Sequence, residues 1–143
     1  MNIGQAKLFD LDMIVKLDSE VIGNTSRQNL IENAIKQGQC VIVKESEQIV
    51  GFSIYDTHFF ECTFLSLIIV SPDKRRKGYA SQMMNFIVRN APTEKVFSST
   101  NRSNLSMQKV FHANGFIESG IVDNLDEGDS EIIYYTSKSV HSL

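Results

Sequence analysis

Phe64-Leu65-Ser66-Leu67-Ile68-Ile69-Val70-Ser71-Pro72-Asp73-Lys74-Arg75-Arg76-Lys77-Gly78-Tyr79-Ala80-Ser81-Gln82-Met83-Met84-Asn85-Phe86-Ile87-Val88 is the stretch that decides the fold. Residues 64–70 form a nearly unbroken apolar run, the signature of a strand covered on both faces. Ser71-Pro72 ends it, because proline cannot donate to a ladder or sit inside a helix. From Ala80 the apolar residues fall at 80, 83, 84, 87 and 88, the spacing of a helix with one buried face, and Asn90-Ala91-Pro92 stops it. Between strand and helix lies a run of four cations closed by Gly78. A helix start offers unpaired backbone N–H groups and the positive end of the helix dipole, so phosphate binds there readily. Arg75, Arg76 and Lys77 add charge suited to phosphate oxygens, and Gly78 lets a ligand approach the backbone.

The flanking chain predicts an antiparallel meander feeding this strand–helix unit. Ile3 to Phe9 reads as a first strand, and Asp10 as the N-cap of a helix through Leu11, Ile14, Leu17 and Val21. Thr25 and Gln28 have capping-box spacing ahead of a second helix with Leu30, Ile31, Ala34 and Ile35 as its apolar stripe. Cys40–Val43 and Ile49–Tyr55 are the next strands, with Gly51 marking a bulge or a close backbone approach. Asp56–Glu61 is the turn before the central strand. Lys95–Thr100 is the parallel return strand, and Met107, Val110 and Phe111 stripe a last helix. Residues 116–122 and 131–136 form a final strand pair, and the polar tail from Ser137 is expected to fray. The fold class is therefore mixed α+β: one domain over residues 1–143, with a mostly antiparallel sheet of about six or seven strands and about four helices.

Arg75-Arg76-Lys77-Gly78-Tyr79-Ala80 resembles Q/R-x-x-G-x-G/A, the coenzyme A signature of the GNAT family of N-acetyltransferases. Val70-Ser71-Pro72 is similar to that family's V-x-P strand end, and Asn104, Phe111 and Gly115-Phe116 to the block that closes its cofactor site. The resemblance implies acetyl-CoA as cosubstrate and an acyl-CoA N-acyltransferase fold. Pyrophosphate would lie on the backbone N–H groups of Arg76, Lys77, Gly78, Tyr79, Ala80 and Ser81, with Arg75 adding charge to the cofactor site, and the pantetheine arm along Ile68, Ile69 and Val70. Asn104 and Phe111 would complete the cofactor site. Ile69 or Val70 would offer a backbone N–H to the oxyanion of direct amine attack.

Two chemical roles depart from that pattern. The position of the family's thiolate-protonating tyrosine holds Phe111, and two positions that carry a basic carboxylate in relatives hold Phe64 and Ser99. Glu61, three residues before Phe64, is the candidate base, with strand alternation turning it to the other face. His58, His112 and Tyr79 are the other titratable groups nearby in sequence, and water relay is the remaining route. The alternative function is a non-catalytic acyl-CoA-binding or protein-interaction module on the same fold.

Composition narrows the partners. Net charge is −3 and the pI about 5.6, which disfavours a general nucleic-acid binder and makes the cationic turn a local feature. The partner is a small-molecule or peptide amine acceptor, with no nucleic acid and no membrane, in a monomer or homodimer. No apolar run reaches membrane-spanning length and no signal sequence is evident, so a cytoplasmic location is expected. Cys40 and Cys62 lack C-x-x-C spacing and read as small packed residues in a reducing compartment. The acidic run Asp123–Gly128 places Leu125 and Tyr134 where a calcium loop needs ligands, so it is read as a turn and no metal is expected.

Overall fold

The computed structural model describes residues 2–141. The elements are β1 (Ile3–Gln5), α1 (Leu11–Ile22), α2 (Gln28–Lys36), β2 (Cys40–Glu45), β3 (Gln48–Phe59), β4 (Cys62–Val70), α3 (Tyr79–Asn90), β5 (Lys95–Asn101), α4 (Leu105–Ala113), β6 (Ile117–Val122) and β7 (Glu131–Ser137). The strands take the order β1-β2-β3-β4-β5-β7-β6 in a seven-stranded sheet, in which β4 and β5 are the parallel pair. The chain divides into two compact units, Met1–Tyr55 with Leu67–Ile87, and Asp56–Ser66 with Val88–Leu143.

In the first unit, all four residues from Cys40 to Val43 are buried, as a strand covered on both faces requires. On one face Cys40, Ile42, Phe52 and Ile54 pack with Ile14, Leu17, Ile31 and Ile35 of α1 and α2. The β2–β3 connection is a two-residue hairpin, Ser46-Glu47, with both residues at positive φ, the backbone that matches strand twist. The expected irregularity at Gly51 is both things at once. The β2–β3 register shifts beside Val43, and a Cβ on Gly51 would stand 3.0 Å from the Ile69 carbonyl and from side-chain atoms of Met83 and Val43.

Three local expectations of this unit are corrected. The first strand stops at Gln5, and Leu8–Asp10 forms a 3-10 turn in which the Asp10 carboxylate accepts the Lys7 N–H at 2.8 Å. The Thr25/Gln28 capping box does not form: α2 begins at Gln28, because Arg27 is drawn to buried Asp18 through bonds of 2.6 and 3.0 Å. Leu30 is 49% exposed and so leaves the predicted stripe, while Ile31, Ala34 and Ile35 remain buried.

The second unit is built on β5, which pairs with β4 from Thr63↔Val96 to Leu65↔Ser98 and with β7 over its whole length. The expected long turn at 56–61 is shorter. β3 continues to Phe59, and only Phe60-Glu61, both at positive φ, make the hairpin. The core lies under α4, where Phe111 stacks on Tyr134 at 4.5 Å and meets Phe116 at 5.2 Å. The expected fraying from Ser137 is replaced by docking. Ser137 belongs to β7, and a 3-10 turn over Lys138–His141 is held by Lys138 Nζ to the Ala91 carbonyl at 2.8 Å and Arg89 to the His141 carbonyl at 3.1 Å. Of that predicted tail, Ser142 and Leu143 lie outside the described residues.

Candidate active site

The phosphate-binding candidate is the connection from β4 to α3 in the first unit. Ser71-Pro72 opens it, with Ser71 N–H on the Val50 carbonyl at 2.8 Å, and Pro72–Lys74 makes one 3-10 turn. Arg76 and Gly78 then stand at φ of 64° and 84°. Two left-handed residues separated by one ordinary residue turn successive N–H groups toward a common side, a concavity suited to an anion. Gln82 N–H takes the Gly78 carbonyl at 3.0 Å, the first bond of α3, so the Tyr79 and Ala80 amides precede the helical ladder. A Cβ on Gly78 would touch nothing within 4 Å, so the backbone conformation and not space requires glycine there.

One carboxylate organises this loop's side chains. Glu45, at the end of β2, takes Lys74 Nζ on Oε1 at 2.7 Å. Its Oε2 accepts the Tyr79 hydroxyl, and Lys77 Nζ lies 3.7 Å from the same oxygen. The bonds from Lys74 and then Tyr79 hold Glu45 down at about 2. In return, the same carboxylate raises Lys74 and Tyr79. Arg75 turns back to the Val70 carbonyl at 3.3 Å, and Arg76 is exposed with no ion pair among the described residues. The cationic run is therefore not uniformly available to a ligand. Sequence reading missed Glu45, which lies 29 residues from Lys74 and within no motif.

Ile68 and Ile69 are half-buried and Val70 is buried, at the end of β4 that leads into the loop. Ala80 and Ser81 lie in the first turn of α3, both half-buried. In the second unit Asn104 caps α4, its Oδ1 accepting the Met107 N–H at 3.1 Å. Phe111 is fully buried between Tyr134 and Phe116. Glu61 occupies the exposed tip of the β3–β4 hairpin, and His58 is exposed near that end of β3. His112 is exposed, 3.9 Å from Glu118. Ser99, by contrast, is half-buried and donates to Glu131 Oε2 at 2.6 Å, a pairing across 32 residues that no local pattern signals.

Asp123 and Asp126 of the acidic run accept hydrogen bonds from Ser130 and Asn101 at 2.6 and 2.9 Å. Among the described residues no group of three or more His, Cys, Asp or Glu side chains is arranged to hold a metal ion. Nor, among them, is any helix long and apolar enough to cross a membrane.

A mixed sheet with one parallel pair thus carries, between β4 and α3, a cationic turn with two left-handed residues at a helix start. The Acetyltransferase (GNAT) family pattern matches residues 10–116, and the chain belongs to that family. An acetyltransferase of the GNAT family from Bacillus cereus, solved by crystallography, is 64% identical over 96% of each chain, with a TM-score of 0.94. An aminoglycoside 6'-N-acetyltransferase complexed with coenzyme A matches at 11% identity over 96% of this chain and 97% of that one, TM-score 0.83. The ribosomal-protein-alanine N-acetyltransferase of Brucella melitensis matches at 15%, over 96% and 99%, TM-score 0.79. These last two show the fold alone. No curated protein matches the sequence.

Proposed function

We propose that the chain is an acetyl-CoA-dependent N-acetyltransferase acting on a primary amine by direct attack. The observation that carries this reading is the alternation of backbone sign at Arg76 and Gly78 immediately ahead of α3, in the family's signature run. The amides from Arg76 to Ser81 receive the pyrophosphate, with Arg75, Lys77, Tyr79 and Ala80 framing the loop. Ile68, Ile69 and Val70 pair with the pantetheine arm. The resemblance to the family's second block assigns Asn104, whose Nδ2 is left after capping, and Phe111 to the same cofactor.

The amine nitrogen attacks the thioester carbon, and the developing oxyanion takes the Ile69 or Val70 N–H. The C–S bond breaks with its electron pair on sulfur, and the amine's protons leave to the thiolate and to solvent. Phe111 has no proton to give, so the leaving group is protonated through water and positioning supplies most of the acceleration. Glu61 at its exposed hairpin tip is the weakest part of the expected chemistry. The aminoglycoside and ribosomal-protein enzymes sharing this fold frame the acceptor range, from small amine to protein N-terminus. Cys40 and Cys62 are both free, in keeping with a reducing, cytoplasmic setting.

Calorimetric titration with acetyl-CoA and with free CoA tests the reading, repeated on Gly78→Glu. Wild type should bind both and the variant neither, with thiol release on adding primary amines. Failure of both ligands to bind wild type would overturn it. Binding without turnover on any amine would favour the non-catalytic module, the reading that the missing acid at Phe111 supports.

A further inference from the structure

The second unit carries an open arrangement of side chains on the sheet face opposite α4. Val96, Ser98, Ile132 and Tyr134 are buried, with Tyr134 stacked beneath α4, while the alternate residues of β5 and β7 are only half-buried. On that half-buried face a ladder of rings crosses four strands. Phe59 stands 5.0 Å from Phe64 and 4.9 Å from Phe97, and Phe97 stands 5.2 Å from Tyr135. Two residues along β5 from Phe97, roughly 7 Å by strand geometry, is Ser99. Ser99 is the first residue of β5 beyond those directly opposite β4, since the parallel pairs end at Leu65↔Ser98.

Ser99 donates to Glu131 Oε2 at 2.6 Å and so fixes that carboxylate's orientation. Among the other buried or half-buried carboxylates, Asp18, Glu32 and Glu45 have a cation, whereas Asp10, Asp56 and Asp129 have none but take backbone N–H donors. Glu131 has no cation among the described residues, and its Oε1 has no hydrogen-bond donor there. A partly desolvated, oriented anion without a counter-charge carries an electrostatic cost that a bound cation relieves. The neighbouring rings offer flat apolar surface and, through their faces, further attraction for a cation.

We propose that Glu131, oriented by Ser99, and the Phe97–Tyr135 rings form the acceptor subsite, which takes a primary amine carried on a flat apolar body. The ammonium pairs with Glu131 and the body lies over the rings. This deepens the N-acetyltransferase reading and rests on it for the identity of the ligand as acceptor. Ser99 is a positioning residue, and Glu131 and the rings determine specificity.

The test uses 2-phenylethylamine and n-propylamine, which share an amine and differ in body. Binding to the CoA-saturated full chain is followed by NMR, and acetyl transfer is followed separately by thiol release. 2-Phenylethylamine should saturate, shift the Phe97, Ser99 and Tyr135 amides, and bind at least about tenfold tighter than n-propylamine, given the apolar area its ring buries. Glu131→Gln should weaken it by about tenfold or more, the usual size of a hydrogen bond to a charge, with CoA affinity retained as proof of folding. Glu131→Asp should recover part of the loss. Equal affinity for the two amines, no saturable binding, or an unaffected Glu131→Gln would overturn the subsite. If 2-phenylethylamine binds as described and no primary amine releases thiol from acetyl-CoA, the amine-binding subsite stands and the acetyltransferase reading falls. If both amines are acetylated equally and Glu131→Gln is neutral, the reverse holds.

Discussion

Lys74 Nζ lies 2.7 Å from Glu45 Oε1, and this joins the phosphate-loop candidate to a strand 29 residues earlier in the chain. Because Lys74, Tyr79 and Lys77 all face one carboxylate, the loop's shape depends on its ionisation. The folded value of Glu45 is about 2 against an ordinary 4.5, so its stabilising contribution is complete above 4.5 and is lost as pH falls through 2. Glu45→Gln should lower the melting temperature at neutral pH, and the gap to wild type should close as the pH of the melt is lowered toward 2. A gap that persisted unchanged there would show that the carboxylate's charge is not what ties the loop.

Tyr134 should respond in the opposite sense. Its hydroxyl is the one buried side-chain polar atom among the described residues without a hydrogen-bond partner. Removing an unsatisfied hydroxyl while keeping the stacked ring should stabilise, so Tyr134→Phe is expected to gain about 1 kcal/mol in denaturant melts. Burial, and then the Glu118 charge, raises the Tyr134 phenol. That contribution is intact below the ordinary 10 and lost as pH rises past it, so the advantage of the phenylalanine should widen in alkali. A less stable variant would mean that the hydroxyl has a partner.

The cysteines should separate cleanly by reactivity. Cys40 is fully buried, and desolvation, with the Asp10 charge adding to it, pushes its thiol up to about 12. Cys62 is only partly buried at the start of β4. A thiolate-seeking reagent should label Cys62 alone in the native protein and both cysteines after unfolding. Early labelling of Cys40 would report local opening of β2.

Much of the architecture was legible because apolar periodicity is a local property. The apolar run 64–70 and the stripe from Ala80 mark the β4–α3 unit to within two residues of its bounds, and the apolar run Cys40–Val43 marks a strand, which the structure buries at all four residues. The failures came where a side chain chose a distant partner over a near one. Arg27 pairs with Asp18 and so the Thr25–Gln28 box is never made, while Lys138 reaches Ala91 and turns a tail into a docked turn. The candidate site divides the same way. Its glycine and basic run are contiguous and could be read, but Glu45 and the Ser99–Glu131 pair are each joined across about thirty residues. Strand neighbours of that kind depend on register, which a single sequence leaves open.

Gly51 in β3 and Gly78 in the β4–α3 connection are glycines for different reasons. At Gly78 the left-handed backbone is the whole requirement, so an alanine there costs about 1 kcal/mol of conformational energy and displaces no neighbour. At Gly51 the φ is ordinary, but a methyl would press at 3.0 Å on Met83, on Val43 and on the Ile69 carbonyl. Met83 can swing aside and the carbonyl cannot, so Gly51→Ala should shift β4 and lower stability together, visible as altered Ile69 and Val70 amide resonances beside a depressed melting temperature. For anyone redesigning this protein, the two positions are unequal handles. A side chain at position 78 meets only open space and a backbone cost, whereas any side chain at position 51 presses on β2, β4 and α3 together.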